Sequence, residues 1–178
     1  MIDSVIWKEK LEQDLSSLKK RLRQHRWSYK SAVLFERELT LIFFSIRSLI
    51  DAGKLTDTLA QKEYQCTTYP NIGKTVDELS KYSPNESFNL DGGINKQLSL
   101  RFLTNQFIHA YVILLGFSEI GCVASVLLCS DREKSEMLIE FPISTVVNIV
   151  QDVVRDDIKS IYYRRNKKTG ELRKVQIS

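Results

Sequence analysis

The densest apolar stretch of this chain, residues 98–141, places the strongest limit on what the chain can fold into. Residues 97–110 repeat apolar side chains at helical spacing, and residues 111–117 and 122–129 are apolar at almost every position. Short apolar runs separated by a polar turn are typical of strands that are buried on both faces of a covered sheet. We therefore expect a helix that leads into two central strands.

Part of the same stretch, residues 107–129, is also long enough to be weighed as a membrane span. It contains His109, Ser118 and Glu119, and an acid at the centre of a spanning helix costs roughly 2.5–3.5 kcal/mol. The N-terminal segment MIDSVIWKEKLEQD carries acids and lysines where an export signal has an apolar core. These features predict a cytoplasmic protein that does not span a membrane.

Residues 3–52 contain neither glycine nor proline and predict helix throughout, with a bend or a second helix near residues 24–28. Before the bend, leucines recur every three or four residues and form a narrow seam of the kind that two helices bury between them. From Phe35 the apolar stripe widens to the face expected of a core helix. The seam residues, which we expect at an interface with a second copy or another protein, are Leu11, Leu15, Leu18 and Leu22.

The rest of the chain predicts strands at residues 62–69 and 137–141, a helix after Pro142, and a hairpin around the Asn-Lys-Lys-Thr-Gly turn that follows Arg165. With 178 residues, 43% of them hydrophobic, the chain suits a single domain, residues 1–178. The predicted fold class is α+β: a long N-terminal helix or helical hairpin packed on a mainly antiparallel sheet of about five to six strands, with two further helices. Residues 1–30 are expected to protrude as a basic, coiled-coil-like segment.

Three cysteines occur in the chain, Cys66, Cys122 and Cys129, and no pair has CxxC spacing. They form neither a complete disulfide set nor a typical zinc site, which indicates a reducing environment. Cys122 and Cys129 lie among apolar strand residues, where thiols usually serve as inert core filling. No cluster of His, Cys, Asp and Glu has ligand spacing, so we expect no metal and no cofactor.

The net charge of +4 conceals two strongly basic segments. Residues 15–35 hold six Lys and Arg and no acid, and residues 158–178 hold seven against the single acid Glu171. Aromatic residues are interleaved with both sets of cations, which favours DNA or RNA because cations contact phosphates and rings stack on unpaired bases. A solvated surface or an acidic partner protein explains the same charge. The candidate nucleic-acid-binding residues are Lys19, Lys20, Arg23, Arg26, Arg164, Arg165, Lys167 and Lys168.

Arg101, Asn105 and His109 share one side of a predicted helix because they are spaced four residues apart. An Arg–His pair across a helix dimer acts on a phosphodiester in HEPN-type ribonucleases. Here the pair is more widely spaced than in that motif, and Phe102 follows the arginine where a polar residue is typical. A polar stripe that ends in a hydrogen-bonded His109 is therefore the favoured interpretation, and no catalytic residue is assigned beyond these candidates.

Three segments resemble a group of bacterial proteins of similar size that combine a long N-terminal helix with an α+β domain. They are FERELTLIFFSIRSLIDAGKLTD at residues 35–57, NQFIHAYVI at residues 105–113, and the turn Ser130-Asp131-Arg132. No established activity is attached to that group. The resemblance therefore implies a bacterial origin and adds no activity, cofactor or partner.

The leading functional hypothesis from the sequence is a non-enzymatic bacterial accessory protein that acts through protein contacts of its N-terminal helix. The motivating feature is the leucine seam, which an isolated helix would leave in water. The first alternative is a nucleic-acid-binding protein that uses the two basic segments. The second is a nuclease or another hydrolase centred on His109.

Overall fold

The structure, a computed structural model, describes residues 3–178 apart from the side chain of Arg173. It is an α+β fold, as the sequence predicts. The helices are α1 Ser4–Arg21, α2 Tyr29–Asp51, α3 Asp57–Gln61, α4 Leu100–Ile108 and α5 Ile143–Arg155, with a 3-10 turn at Pro84–Glu86. The strands are β1 Glu63–Pro70, β2 Ile94–Ser99, β3 Ala110–Phe117, β4 Val123–Ser130, β5 Met137–Pro142, β6 Ile161–Arg165 and β7 Leu172–Ile177.

The N-terminal region is a helical hairpin whose break lies at the predicted place. The carboxylate of Asp3 caps α1 by accepting the N–H of Val5 at 2.9 Å. Residues 22–28, here called the connector, separate the two helices. Ser28 then caps α2 in a reciprocal capping box with Ser31, so the second helix has its own start signal.

The leucine seam is covered by the chain itself. Leu11, Leu15 and Leu18 expose 1%, 6% and 0% of their surface, and Leu22 packs against the same core cluster. Helices α2 and α5 both pack on α1 and fill the space that a partner helix would occupy. The prediction that these leucines form an interface with another chain is therefore wrong, since their partner is intramolecular.

Asp156, directly after α5, joins three elements near the start of α1. Its carboxylate accepts the Thr56 hydroxyl at 2.6 Å and the Thr56 N–H at 3.0 Å. Lys8 of α1 donates to the backbone carbonyl of the same residue, and its ammonium lies 3.9 Å from the carboxylate. The N-terminal helix is thus fixed to the end of the last helix.

The main sheet has five antiparallel strands in the order β2-β1-β5-β4-β3. Two features differ from the sequence prediction. Residues 97–99 belong to strand β2, which escapes recognition because its polar side chains point mostly into water. Strand β3, expected at the centre, is an edge strand. Helix α2 and a surface loop lie against it, and this cover explains why its side chains are apolar.

Aromatic rings join the helices to one face of the sheet. Phe43 of α2 stacks on Phe107 of α4 with ring centres 3.8 Å apart, and both rings contact Phe141 of β5. A smaller apolar cluster on the other face includes Val76 and Phe88 from the long loop between β1 and β2. The sheet is therefore covered on both sides, by helices on one and by a loop on the other.

Strands β6 and β7 form the predicted C-terminal hairpin as a separate two-stranded sheet. It is attached at the C-terminal end of α2, where the Lys174 ammonium donates to the carbonyl of Ala52 at 3.1 Å. The Ile177 N–H donates to the carboxylate of Asp57 at 2.8 Å. Between residues 3 and 178, none of the helices combines the length and the apolar character needed to cross a membrane.

Candidate functional site

The β6–β7 hairpin is the most exposed regular element of the molecule. All five residues of β6 are exposed, with Tyr162 and Tyr163 showing 63% and 51% of their surface. Successive side chains of a strand point to opposite faces, so Tyr162 and Arg164 share one face while Tyr163 and Arg165 share the other. Each face of the ribbon therefore offers an aromatic ring beside a guanidinium.

The hairpin turn holds its cations outward. Arg165 donates to the carbonyl of Gly170 at 2.7 Å and closes the turn. The side chain of Asn166 accepts the N–H of Lys168 at 2.9 Å, which orders the turn from inside. Arg164, Lys167 and Lys168 make no ion pair with any side chain that the structure describes, so their charge is available to a ligand.

The first basic segment lies at the opposite end of the helical hairpin. The candidates Lys19, Lys20, Arg23 and Arg26 are exposed, whereas Arg21 pairs with Glu38 of α2 at 3.0 Å. Helices α1 and α2 are antiparallel, so this segment lies near the start of α2 and the β6–β7 hairpin near its end. The two ends are separated by about 22 residues of helix, or roughly 33 Å. The two predicted patches therefore do not form one local surface.

A polar cavity of about 750 Å³ lies where α2, α4 and the β4–β5 turn meet. Arg47 of α2 is held in its wall, because it donates to Asp51 at 2.7 Å and also to the side chain of Asn105. The cavity wall includes residues from each of the segments 35–57, 105–113 and 130–132, together with Phe102 and Glu133. Its residues are Arg47, Phe102, Asn105, Gln106, His109, Ser130, Asp131, Arg132 and Glu133.

His109 ends α4 and exposes its ring toward this cavity. Its backbone carbonyl accepts the N–H of Asp131, but its ring makes no hydrogen bond to the described residues. Asn105 also lines the cavity, whereas Arg101 turns toward Asp51, 3.6 Å away, and is not part of the wall. The structure thus brings together two of the three catalytic candidates.

The cavity wall contains two cations, Arg47 and Arg132, and two acids, Asp131 and Glu133, so its formal charges sum to zero. Such a wall can orient a polar ligand by hydrogen bonds but does not favour an anion by net charge. Sequence reasoning missed Arg47 and Arg132 as cavity residues, because only the tertiary fold brings them to Asn105 and His109. Among residues 3–178, no cluster of three or more His, Cys, Asp and Glu side chains has the geometry to hold a metal ion.

Buried thiols and phenols of the sheet are held in their neutral forms. Burial raises the pKa of Cys66 to about 11 and that of Cys129 to about 12. Burial and a hydrogen bond to Asp152 at 2.7 Å raise the pKa of Tyr64 as well. These groups pack the interior and offer no reactive form near neutral pH, which agrees with the prediction for Cys129.

Comparison of the chain with protein-family models, with curated proteins and with solved structures finds no match.

Proposed function

We propose that this protein is a non-enzymatic bacterial protein of the cytoplasm that binds single-stranded nucleic acid through the β6–β7 hairpin. The observation that carries the proposal is the exposure of Tyr162 and Tyr163 on this hairpin. The cations beside them have no ion-pair partner among the side chains that the structure describes. The proposal does not rest on the leucine seam, because those leucines are buried within the chain itself.

Charge supplies the attraction in this proposal. Arg164, Lys167 and Lys168 give the hairpin three exposed cations, and none of them forms an ion pair with a described side chain. Each cation that contacts a phosphate releases bound counterions, so affinity depends strongly on salt. Arg165 closes the turn and therefore contributes mainly by keeping the ribbon in shape.

The tyrosines supply the preference for single strands. Exposed rings stack on unpaired bases and contribute about 1–3 kcal/mol per base. Bases inside a duplex are already stacked, so they do not offer their faces to Tyr162 and Tyr163. The proposed ligand is accordingly DNA or RNA with unpaired bases, bound without a sequence code.

Fluorescence anisotropy with a labelled oligonucleotide of mixed sequence tests the proposal. The double variant Arg164→Glu, Lys167→Glu should weaken binding at least tenfold and flatten the salt dependence, because about two phosphate contacts become repulsive. The matched control is Lys74→Glu, Lys96→Glu, which makes the same change in net charge at exposed positions elsewhere. Equal losses of affinity in the two double variants would show that only the net charge of the protein matters, and would overturn the proposal.

Substitution of the rings separates stacking from charge. Tyr162→Ala with Tyr163→Ala should abolish the preference for single strands over a duplex of the same length, whereas the two Tyr→Phe changes should keep it. A preference that is unchanged by loss of both rings would contradict the role given to the tyrosines.

Self-association through strand β3 is the second candidate function. This edge strand, AYVILLGF, carries no charge over eight residues, so two copies can pair along it in antiparallel fashion without like-charge repulsion. Irregularities near both of its ends leave residues 112–116 as the regular part. An apolar groove lined by Tyr29, Val33 and Phe117 runs beside the strand and would be covered by the second copy.

Light scattering of the full chain tests this second candidate. Tyr29→Lys with Val33→Lys should convert a dimer to a monomer, because four ammonium groups would meet at the shared groove. The control is Leu41→Lys with Phe44→Lys, which places the same charges at exposed positions further along α2. A monomer for the unaltered chain at about 100 μM, well above the Kd of a specific dimer, would exclude self-association.

A further inference from the structure

Cys122 and His25 meet where the connector lies against the tip of the β3–β4 hairpin. The sulfur of Cys122 is 3.4 Å from Nδ1 of His25, although the two residues are 97 positions apart in the chain. The same nitrogen lies 3.1 Å from the carbonyl oxygen of Ile120. This half-exposed thiol therefore does not belong to the buried core filling that the sequence predicts for it.

The local fold positions both groups. Ser118 fixes the tip because its hydroxyl accepts the N–H of Cys122 at 3.2 Å. Gly121, with φ of +81°, allows a close approach, since a Cβ at this position would lie 2.5 Å from the backbone oxygen of His25. Trp27 of the connector packs edge-on against Phe117 of β3 with ring centres 5.9 Å apart.

The contacts of Nδ1 define where the proton belongs. A carbonyl oxygen only accepts hydrogen bonds, so the contact with Ile120 requires a proton on Nδ1 of His25. The same N–H lies within reach of the sulfur of Cys122, and a thiolate is a better acceptor for it than a thiol. Because Nδ1 already carries a proton, the proton that the thiol loses passes through water to Nε2. The resulting imidazolium and thiolate satisfy both contacts of Nδ1.

Charged residues lie near the pair in both segments. Arg23 and Arg26 flank His25 in the connector and are exposed, and the exposed Glu119 lies three positions before Cys122 in the tip. The thiolate, and not the thiol, is the nucleophile, so a reactive cysteine must be accessible and have a group that handles its proton. Cys66 and Cys129 are buried, and burial raises the pKa of each, so Cys122 is the accessible thiol of the three.

We propose that Cys122 is an oxidation site that reacts with hydroperoxides, with His25 as its proton partner. The thiolate attacks the terminal oxygen of the hydroperoxide, an S–O bond forms, and the O–O bond breaks. Sulfur is oxidised to a sulfenic acid while the hydroperoxide is reduced to an alkoxide. The alkoxide takes the proton of the His25 imidazolium and leaves as an alcohol, or as water when the oxidant is hydrogen peroxide.

The site can be tested with hydrogen peroxide as the oxidant and dimedone as the trap for sulfenic acid. Mass spectrometry of the folded chain should find one adduct, located on Cys122, and none in Cys122→Ser. Cys66 and Cys129 serve as internal controls, since buried thiols should remain unmodified. An adduct that forms first on either buried cysteine would overturn the proposal.

The role of His25 requires a kinetic comparison. Alkylation of Cys122 by iodoacetamide at pH 7 should be about tenfold slower in His25→Gln, because the thiolate loses its proton partner. Lys96→Gln, a loss of charge on β2 far along the sheet, should leave the rate unchanged. Equal rates in the unaltered chain and His25→Gln would rule out the proton partner.

Unfolding of the connector in His25→Gln would give a different result, since exposure of all three thiols speeds alkylation and modifies Cys66 and Cys129. In that case the alkylation rate of Cys122 in the unaltered chain still tests the proposal. Its Cys122 should react about tenfold faster than glutathione at pH 7, because the fold supplies the imidazole that glutathione lacks. A rate equal to or below that of glutathione contradicts the proposal.

Discussion

The two basic segments of the molecule have similar compositions, but their aromatic side chains lie in different environments. In the connector, the aromatic ring of Trp27 packs against Phe35 and Phe117, and His25 contacts the β3–β4 tip. In the β6–β7 hairpin, the rings of Tyr162 and Tyr163 stand in water. The aromatic ring of the connector therefore serves internal packing, whereas the two rings of the hairpin remain available to a ligand.

The difference teaches that charge in a sequence does not by itself locate a binding surface. What distinguishes the two segments is whether the aromatic rings, and Arg21 among the cations, already have partners in the same chain. Arg21 is paired with Glu38, whereas Lys168 has no ion-pair partner among the described side chains. Free energies of unfolding should show this contrast directly.

The largest expected difference concerns the aromatic residues. Trp27→Ala should lower the free energy of unfolding by about 2–3 kcal/mol, because it removes two edge-on ring contacts and opens the core beside Phe35. Tyr162→Ala in the hairpin should change it by less than about 0.5 kcal/mol. Urea unfolding followed by circular dichroism measures both values. Similar losses would show that the hairpin rings are packed as firmly as the connector ring.

Alkaline pH should destabilise the protein through its buried thiols. The thiols of Cys66 and Cys129 ionise in the unfolded chain above about 9, whereas their folded pKa values lie at about 11 and 12. The unfolded state therefore releases protons first, and stability falls as the pH rises above 9, by about 1.4 kcal/mol per thiol at pH 10. The loss levels off once the pH passes the folded pKa values.

Cys129→Ala isolates one part of this effect, because alanine does not titrate. Its unfolding free energy should decline less steeply between pH 9 and 10 than that of the unaltered chain, measured by urea unfolding at each pH. Cys122→Ala is the matched control from the half-exposed position. A steepness that is the same in Cys129→Ala and the unaltered chain would contradict burial as the cause.

The smallest effect should come from single cations. Arg21→Ala removes a partly exposed ion pair with Glu38 and should cost about 1 kcal/mol, an amount that high salt reduces. Lys168→Ala should be neutral within about 0.5 kcal/mol. Thermal unfolding at low and high salt measures both. An equal cost at the two positions would remove the distinction between a paired and an unpaired cation.

Local patterns in the sequence predict much of the fold. The break between α1 and α2 and the β6–β7 hairpin depend on residues close in the chain, so capping and turn residues locate them. The polar strand β2 has no apolar face and becomes a strand only by pairing with β1. Burial of the leucine seam follows from its spacing, but the spacing does not identify the covering element.

The candidate sites differ in how far the sequence predicts them. The exposed hairpin is predictable because its cations and rings are neighbours in the sequence. The other two sites depend on contacts between residues that are far apart in the chain. The cavity combines Arg47 with Arg132, and the thiol site combines His25 with Cys122. Spacing relates only nearby positions, so the sequence predicts a core role for Cys122, and its contact with His25 depends on the tertiary fold.

The contact of Lys8 with Asp156 has a consequence for synthesis on the ribosome. Helix α1 leaves the exit tunnel well before Asp156, whose carboxylate fixes it, and before helix α5, which covers its leucines together with α2. Until α5 is made, the side of Leu11, Leu15 and Leu18 that α5 covers faces water or a chaperone. Complete burial of these leucines therefore requires translation to have passed Asp156.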